Sequence, residues 1–277
     1  MNYSNYSNYH THTNLCDGKD SLEDLVVKAI ALGCPELGFS GHGYTSYDES
    51  YCMSLAQQEE YFREIKRLQG VYGDKIKILA GIEQDVYGEK PPAGLDYIIG
   101  SVHAIFKDGE YLYIDLSEED FCSNALKHYH GDFLAFAEDY YKVVGEVYAK
   151  THCDIVGHFD LITKFNEGDR LFDTKDPRYV KAAMDAVDKI IESAGGQGRR
   201  VPVFEINTGA MARGYRSEPY PAEFIRKKLA ARGVSVILSS DCHDKEQLLF
   251  GFSDWNRWAI ESVEHGKTAR RLNPLFV

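Results

Sequence analysis

Short apolar runs recur along the chain at intervals that suit β-strands separated by helices. Seven runs are rich in Ile, Val, Leu, Phe or Tyr, and most of the segments between them have helical periodicity. The runs are Asn8–His10, Glu36–Ser40, Lys75–Gly81, Asp96–Ser101, Asp154–Gly157, Val201–Ile206 and Val234–Ser239. Several are continuously apolar, which is typical of parallel strands that are covered on both faces. The pattern predicts an α/β fold.

The segments between the runs carry ordinary helix signals. Ser21 is a candidate N-cap for a helix that ends at Gly33. The other predicted helices are Gln57–Tyr72, Phe133–Ala149, one that follows Pro177 and one between Pro221 and Gly233. We expect their apolar stripes to face the core. The segment Lys107–Gly131 is predicted to be an irregular excursion near the rim of the sheet.

Length and composition favour one domain over residues 1–277. The chain is 44% hydrophobic, has no linker-like tract and is long enough to bury a large core. No basic and apolar leader opens it, and no apolar run approaches the ~18 residues that cross a bilayer. These features predict a cytoplasmic location.

Charge and cysteine usage exclude several classes of function. The net charge of −12 disfavours broad binding to nucleic acid or to an anionic membrane, and suits a small or cationic substrate. The six cysteines form no Cys-x-x-Cys pair, which argues against a zinc ribbon or a disulfide framework, so we expect reduced thiols. No feature of the sequence specifies an oligomeric state.

Histidines and acids fall where the apolar runs end. His10 and His12 lie at i and i+2, on one side of an extended strand, so both can reach one metal ion. Asp241 and His243 repeat this spacing. The remaining candidates are His42, Glu83, His103 and His158. In a parallel barrel all of these would meet at the C-terminal rim, where such barrels carry their active sites. The pattern predicts a multinuclear metallohydrolase.

Other histidines are better explained without a metal. Any single histidine at a strand end could equally be a hydrogen-bonded core residue, and only the joint pattern favours ligation. A second His-x-His pair, His128 and His130, lies in the excursion, where surface histidines are expected. His265 sits in a polar turn and is interpreted in the same way, and His152 precedes a strand at the opposite rim, so we interpret it as structural.

These residues lie in segments that resemble the polymerase-and-histidinol-phosphatase superfamily, and within it the histidinol-phosphate phosphatases. The resemblance covers nearly the whole chain. It is carried by residues 10–12 with 17–18, 38–42, 78–83, 96–103, 154–160, 205–208 and 240–243. It implies a distorted (β/α)₇ barrel with three divalent metal ions, zinc, manganese or iron.

The resemblance also implies which residues hold which ion. The first ion would be held by His10, His12, Glu83 and Asp241, the second by Glu83, His103 and His158, and the third by Asp17, His42 and His243. Glu83 would bridge the first two ions. Some members of the superfamily have histidine at the position of Asp17, so a carboxylate there leaves the metal's identity open.

Charge favours a phosphomonoesterase. Three divalent ions, offset by three carboxylates and a hydroxide, leave a site of about +2 opposite a phosphate dianion. Asp241 and His243 are candidate proton donors to the leaving alkoxide. Candidate phosphate contacts are Arg213, Arg216, Lys164 and His42. Arg213 is favoured, although it lies one position later than the arginine of the superfamily's usual sequence, and solvated loop charges are an equal alternative for Arg216 and Lys164.

The expected activity is hydrolysis of L-histidinol phosphate to L-histidinol and phosphate in histidine biosynthesis. Tyr44, Tyr47, Asp48 and Glu49 are candidate contacts to the cationic end of that substrate. One alternative keeps the site and changes the substrate to a nucleotide, phosphotyrosine or a DNA end. Another is a non-catalytic metal-binding or scaffold protein, which loss of ligands would mark, yet every expected ligand position is filled.

Overall fold

Parallel strands form the sheet that supports the molecule. The computed structural model describes residues 6–196, 198 and 200–255. Its strands are β1 (Glu36–Phe39), β2 (Lys77–Asp85), β3 (Tyr97–Ser101), β4 (Ala104–Lys107), β5 (Glu110–Tyr113), β6 (Ile155–Val156), β7 (Val203–Asn207) and β8 (Val236–Ser239). Six of them pair in parallel in the order β1-β2-β3-β6-β7-β8, and β4 and β5 form a separate antiparallel hairpin. The predicted α/β class is confirmed.

The N-terminal segment closes this sheet into a barrel. Asn8 bridges Leu37 of β1, and Thr11 bridges Cys242 just beyond β8, so one short segment joins the two edge strands. The amide of Gly38 donates to the Asn8 carbonyl at 2.8 Å, completing the contact to β1. The predicted first strand, Asn8–His10, is therefore present only as isolated bridges, because each neighbour pairs with it over too few residues to form a ladder. Together with the N-terminal segment, the six parallel strands give seven segments in the barrel wall. The predicted distorted (β/α)₇ barrel is confirmed.

Helices cover the outside of the sheet. They are α1 (Leu22–Leu32), α2 (Leu55–Tyr72), α3 (Glu118–Tyr129), α4 (Phe133–Val144), α5 (Val147–Thr151), α6 (Pro177–Gly196), α7 (Gly209–Ala212) and α8 (Glu223–Ala231), with 3₁₀ turns at 161–163, 167–169 and 245–247. Ser21 caps α1 by accepting from the amide of Asp24, and Gly33 ends it with a left-handed φ of 77°, as predicted. The prediction of one continuous helix over Phe133–Ala149 is wrong, because a turn at residues 145–146 interrupts the helix between α4 and α5.

The interior of the barrel below its C-terminal mouth is apolar. Tyr97 crosses it and donates from its hydroxyl to the carbonyls of Tyr9 and Phe39, at 2.6 and 2.9 Å. A Cβ on Gly81 would lie 2.3 Å from the Tyr97 ring, so only glycine leaves room for this side chain. The layer fixes the floor on which the polar rim rests.

The prediction that the segment Lys107–Gly131 is irregular is wrong, because the segment contains β5 and α3. Asp108 and Gly109 adopt φ of 52° and 86° and turn the β4–β5 hairpin, a dipeptide signal that the apolar pattern alone does not reveal. The expectation of surface histidines is wrong for His128, whose side chain is 5% exposed beside Asp108 and Glu110. His130 is exposed and ends α3 in a left-handed conformation, and His265 lies outside the described residues.

The cysteines and the helices bear on the predicted thiols and on membrane crossing. All six cysteines are free thiols, as predicted. None of the helices in the described part of the chain combines the length and the apolarity that crossing a membrane requires.

Candidate metal centre

The C-terminal ends of the strands meet at one mouth of the barrel, and the predicted metal ligands converge there. The structure brings together His10, His12, Asp17, His42, Glu83, His103, His158, Asp241 and His243. Within this set, three groups have ligand atoms within 4.8 Å of one another, a separation that one cation can span. The predicted convergence of residues distant in sequence is therefore present.

Glu83 lies at the centre of the cluster. It belongs to β2, which runs four residues beyond its predicted end at Gly81, and its side chain is 1% exposed. Its Oε2 faces His10 Nε2, His12 Nε2 and His42 Nδ1 at 3.2, 3.3 and 3.2 Å. These imidazoles come from the N-terminal segment and from the loop after β1. One carboxylate oxygen thus serves three histidines.

The other oxygen of Glu83 faces the neighbouring strands. Its Oε1 lies 2.8 Å from His158 Nε2 and 3.3 Å from His103 Nε2, and it accepts from the hydroxyl of Ser101 at 2.5 Å. The two oxygens therefore point into two different groups of histidines. This geometry is what a carboxylate that bridges two cations requires.

Asp17 gathers a third group at the more open side of the mouth. Its carboxylate lies 3.3 Å from His12 Nδ1, 3.5 Å from His42 Nε2 and 3.1 Å from His243 Nε2. The Asp17 side chain is 32% exposed and that of His243 is 22% exposed, whereas Glu83 is buried. This group matches the predicted third set and adds His12, whose two ring nitrogens face different groups.

Asp241 enters the cluster from a strained backbone. Its φ of 48° is rare for a residue with a side chain, and strained backbone of this kind clusters at functional sites. Its Oδ1 lies 3.5 Å from His10 Nε2 and 3.2 Å from His12 Nε2. Its Oδ2 accepts from Nη2 of Arg213 at 3.0 Å. A Cβ on Gly209 would lie 2.8 Å from the Cβ of Asp241, so the glycine leaves the space that this side chain occupies.

The donor set fits divalent cations. Buried atoms without a hydrogen-bond partner include His10 Nε2, His12 Nε2 and Glu83 Oε2, and these three converge on one another. Buried polar atoms are normally paired, so three converging unpaired atoms indicate a missing partner. Imidazole and carboxylate together suit zinc, manganese or iron.

Burial and the opposite charges of neighbouring groups set the pKa values within the cluster. Burial alone would raise the pKa of Glu83, but the imidazoles of His42 and His10 hold that pKa well below its usual range. Burial, together with His243 and His42, lowers the pKa of His12. Burial opposes protonation of His103, yet Glu83 raises the His103 pKa well above its ordinary value. A divalent cation would displace that proton, because metal ligands bind in their deprotonated forms.

Several supporting acids escaped the sequence analysis. Glu205 accepts from His10 Nδ1 at 2.9 Å, Asp85 lies 3.3 Å from His103 Nδ1, and Asp115 pairs with Lys164. Glu205 lies in the run Val201–Ile206 and in a segment of the resemblance, which assigned it no role, and Asp85 lies beyond the predicted end of its run at Gly81. Asp115 lies in the segment that was predicted to be irregular.

A cleft of about 310 Å³ opens over the cluster. Three of the four predicted phosphate contacts line it, and one does not. Arg213 and His42 line it, and Lys164 lines it while donating to the Asp115 carbonyl at 2.7 Å. Arg216 does not line this cleft. Its guanidinium donates to the Thr163 carbonyl at 3.2 Å and pairs with Glu167, so the structure does not bring it to the cleft with the other three.

Only one of the four predicted contacts to the substrate's cationic end lines this cleft. Asp48 lines it, but Tyr44 and Glu49 hydrogen-bond each other at 2.7 Å outside it. Tyr47 stacks on Tyr111 with ring centroids 4.1 Å apart, also outside the cleft lining. The lining includes residues that the sequence analysis did not single out, namely Tyr51, Tyr113, Asp115, Leu116, Leu161 and Tyr215.

Comparison with known proteins agrees with this architecture. A probable histidinol-phosphatase of Schizosaccharomyces pombe is 29% identical over 245 residues, which cover 82% of this chain and 76% of that protein. A crystal structure from Listeria monocytogenes, described as a candidate histidinol phosphatase, matches with a TM-score of 0.74 at 22% identity, over 90% of this chain and 100% of its own.

A second solved structure carries ligands. It is a histidinol phosphate phosphatase from Lactococcus lactis, complexed with zinc, L-histidinol and phosphate, and it matches with a TM-score of 0.57 at 19% identity over 95% of this chain and 94% of its own. The model of the PHP domain family matches residues 8–208, a span that begins at the barrel-closing segment and ends at the last residue before α7. The chain belongs to the PHP domain family.

Proposed function

We propose that this protein is a metal-dependent histidinol-phosphatase that hydrolyses L-histidinol phosphate to L-histidinol and phosphate. The observation that carries the proposal is the convergence of unpartnered nitrogens and carboxylate oxygens around Glu83, beneath a cleft lined by both basic and acidic side chains. The relatives described as histidinol-phosphatases support the choice of substrate.

Three divalent ions are proposed, with ligands as the resemblance implied. Glu83 would be shared between the sites of His10 with His12 and of His103 with His158, and Asp17 would belong to the third site. Zinc is favoured by the ligands of the related Lactococcus lactis structure. Bound ions of this kind lower the pKa of water toward ~7 and neutralise phosphate charge, which supplies a nucleophile at neutral pH.

Arg213 is the proposed phosphate contact. Its guanidinium is 28% exposed and lines the cleft while donating from Nη1 to the Asp241 carbonyl and from Nη2 to the Asp241 carboxylate. It is therefore held in place before the substrate arrives, which lowers the entropic cost of binding an anion. Lys164 is the second cation on the cleft wall, and Asp115 neutralises part of its charge.

The acidic and aromatic wall of the cleft is proposed to receive the amine and imidazole of the substrate. Asp48 supplies a carboxylate, and Tyr51 and Tyr113 supply ring surfaces and hydroxyls. Burial and the nearby carboxylate of Asp48 raise the pKa of Tyr113 to about 12, so the two side chains act on each other along this wall. A phosphate lying near Arg213 and a cation lying near Asp48 would orient the substrate in one direction.

A proton must reach the leaving alkoxide of the substrate. His243 lines the cleft and is partly exposed, with Nδ1 within 3.0 Å of Arg213 and Nε2 facing Asp17. Asp241 is less suited to carry a proton, because Arg213 and His10 hold its pKa well below the usual range although burial opposes them. Of the two candidates His243 is the better placed, and it can donate a proton only while its Nε2 is released from the third ion. We also propose that residues 1–277 form one catalytic domain and that the enzyme acts in the cytoplasm.

The proposal is tested by measuring phosphate release from three substrates with one metal-analysed preparation. Histidinol phosphate should be hydrolysed with the highest kcat/KM, above nucleoside monophosphates and phosphotyrosine, because it offers Asp48 a cationic amine with no carboxylate beside it. Asp48→Asn should lower kcat/KM for histidinol phosphate and leave nucleoside monophosphate hydrolysis, which involves no cation, unchanged. Preferential hydrolysis of a nucleotide or phosphotyrosine would contradict the substrate, and no hydrolysis by zinc-loaded protein would contradict the activity.

A further inference from the structure

Glu205 lies below the candidate metal centre, in the middle of β7, and is not one of its predicted ligands. Its side chain has no exposed surface, and the residue pairs in register with Ile237 of β8. A buried carboxylate is costly unless hydrogen bonds and neighbouring charges compensate for its lost hydration. The surroundings of Glu205 therefore show what this charge does.

Four donors converge on the Glu205 carboxylate. Oε2 accepts from Nδ1 of His10 at 2.9 Å and from the hydroxyl of Ser239 at 2.5 Å. Oε1 accepts from the backbone amide of His158 at 2.6 Å and from the side-chain amide of Asn207 at 2.7 Å. An ionised carboxylate accepts and cannot donate, so it matches four donors where an amide could not. The carboxylate joins the N-terminal segment, the end of β6, β7 and β8.

The contact to His10 determines which ring nitrogen is free. When Nδ1 donates its proton to Glu205, the lone pair of the neutral ring lies on Nε2. That nitrogen faces Glu83 at 3.2 Å and Asp241 at 3.5 Å and has no hydrogen-bond partner. A carboxylate behind a ligating histidine fixes both its tautomer and its ring orientation.

We infer that Glu205 is a positioning residue that holds His10 in the tautomer whose Nε2 faces the metal and that anchors the backbone of His158 beside it. This inference rests on the proposed metal centre. Through these two histidines Glu205 acts on both sides of Glu83, without touching substrate or metal itself. Loss of the carboxylate should therefore weaken metal binding before it changes the fold.

The other histidines of the cluster lack an equivalent partner. His12 Nδ1 faces Asp17, which is itself a candidate ligand and is 32% exposed. His103 Nδ1 lies 3.3 Å from Asp85 but makes no well-aligned hydrogen bond to it. His10 is thus the histidine whose back nitrogen donates to a fully buried carboxylate outside the ligand set. The contrast predicts that the His10 site depends on its supporting acid most strongly.

Glu205→Gln is the direct test, measured as zinc affinity by chelator competition and as zinc content per chain. Glutamine keeps the shape but must turn its NH2 group toward either His10 and Ser239 or the His158 amide and Asn207, so the two donors on that side lose their acceptor. We expect zinc binding about 10- to 100-fold weaker and one ion lost per chain while the others remain. Ser239→Ala, which removes a different donor from the same oxygen, is the matched control and should retain every ion.

A double-mutant cycle separates positioning from a general loss of structure. In a His10→Ala background, Glu205→Gln should reduce zinc content less than it does in the wild type, since only the contact to the His158 amide remains to be lost. Equal losses in both backgrounds, or unchanged zinc affinity in folded Glu205→Gln protein, would overturn the inference.

If the Glu205 variants do not fold, nitrogen NMR of isotope-labelled wild-type protein with zinc decides directly. His10 should carry its proton on Nδ1 and the metal at Nε2, and the opposite assignment would refute the inference. All of these readouts concern metal, so a protein that binds zinc normally but leaves histidinol phosphate intact would contradict the proposed function alone.

Discussion

The buried side and the open side of the metal centre differ in what holds their side chains. On the buried side, His10, His12 and Glu83 have side chains that are at most 1% exposed, and strands on all sides restrict their movement. On the open side, Asp17 and His243 are 32% and 22% exposed and lie on loops that border the cleft. The barrel therefore supplies fixed ligands below and adaptable groups above, where substrate enters.

This difference assigns separate tasks to the two sides. Buried polar atoms without a partner have lost the bulk water that compensates exposed groups, and a bound cation can compensate them. Exposed groups can instead exchange water for phosphate or for a leaving group. Substitutions on the buried side should abolish metal binding and turnover together, and those on the open side should mainly change KM or metal preference.

The largest effect is expected from Glu83→Gln. The amide removes the negative charge that three imidazoles share at Oε2 and places a donor against a histidine. Turnover should fall by about 10³-fold or more, because several kcal/mol of metal-dependent stabilisation are lost, and zinc content measured on the same sample should fall with it. Glu49→Gln, outside the cleft, should leave turnover and zinc content unchanged. Retention of zinc by the Glu83→Gln protein would show that Glu83 does not bind the metal.

Gly209→Ala should cause the next largest loss without deleting a ligand. Its Cβ would lie 2.8 Å from the Cβ of Asp241 and 3.0 Å from Nη2 of Arg213, so both must move. We expect kcat to fall by about 10²-fold, as displaced catalytic groups typically cause. Gly195→Ala, whose Cβ meets nothing within 4 Å, is the matched control and should keep full kcat. Equal kcat in both variants would show that the Asp241 geometry is not critical.

Arg213→Lys probes the open side. A lysine keeps the positive charge but cannot reproduce two directed hydrogen bonds to Asp241. KM for histidinol phosphate should rise by about 10-fold, the scale of one lost charge-assisted hydrogen bond, with zinc content unchanged. Arg216→Lys should leave KM unchanged, because Arg216 does not line the cleft. A KM increase in the second variant alone would transfer the phosphate contact to Arg216.

The smallest effect is expected from Asp17→His. Its position is partly exposed and its carboxylate already lies beside His243, so an imidazole can be accommodated. We expect a change of a few-fold in kcat and a shift in the relative affinities for zinc and manganese, because imidazole favours zinc over the harder ion. Competition between the two metals measures this, and an unchanged preference would show that Asp17 does not contact the metal.

The sequence reveals the ligands because strand geometry reports them. His10 with His12, and Asp241 with His243, have the spacing that places two side chains on one side of extended backbone. Glu205 has no such spacing to another candidate ligand. An acid in a buried strand has the same sequence pattern whether or not it supports a histidine from a distant segment. The role of Glu205 depends on contacts between segments that are 195 residues apart.

Loop conformation is the other limit on prediction from sequence. Arg216 and Lys164 are both loop cations in the sequence, and only the tertiary fold turns one toward Glu167 and the other toward the cleft. The left-handed backbone of Asp241 is likewise imposed by its surroundings rather than by its residue type. The fold class and eight of the side chains that converge at the mouth are therefore readable from strand patterns, whereas Asp17 came from the resemblance and substrate contacts require the structure.

Removal and restoration of metal tests the central claim most directly. Protein stripped with a chelator should hydrolyse no histidinol phosphate, and stoichiometric zinc should restore activity in proportion to the ions bound at the cluster around Glu83. Full turnover by protein from which every divalent ion has been removed would contradict the account.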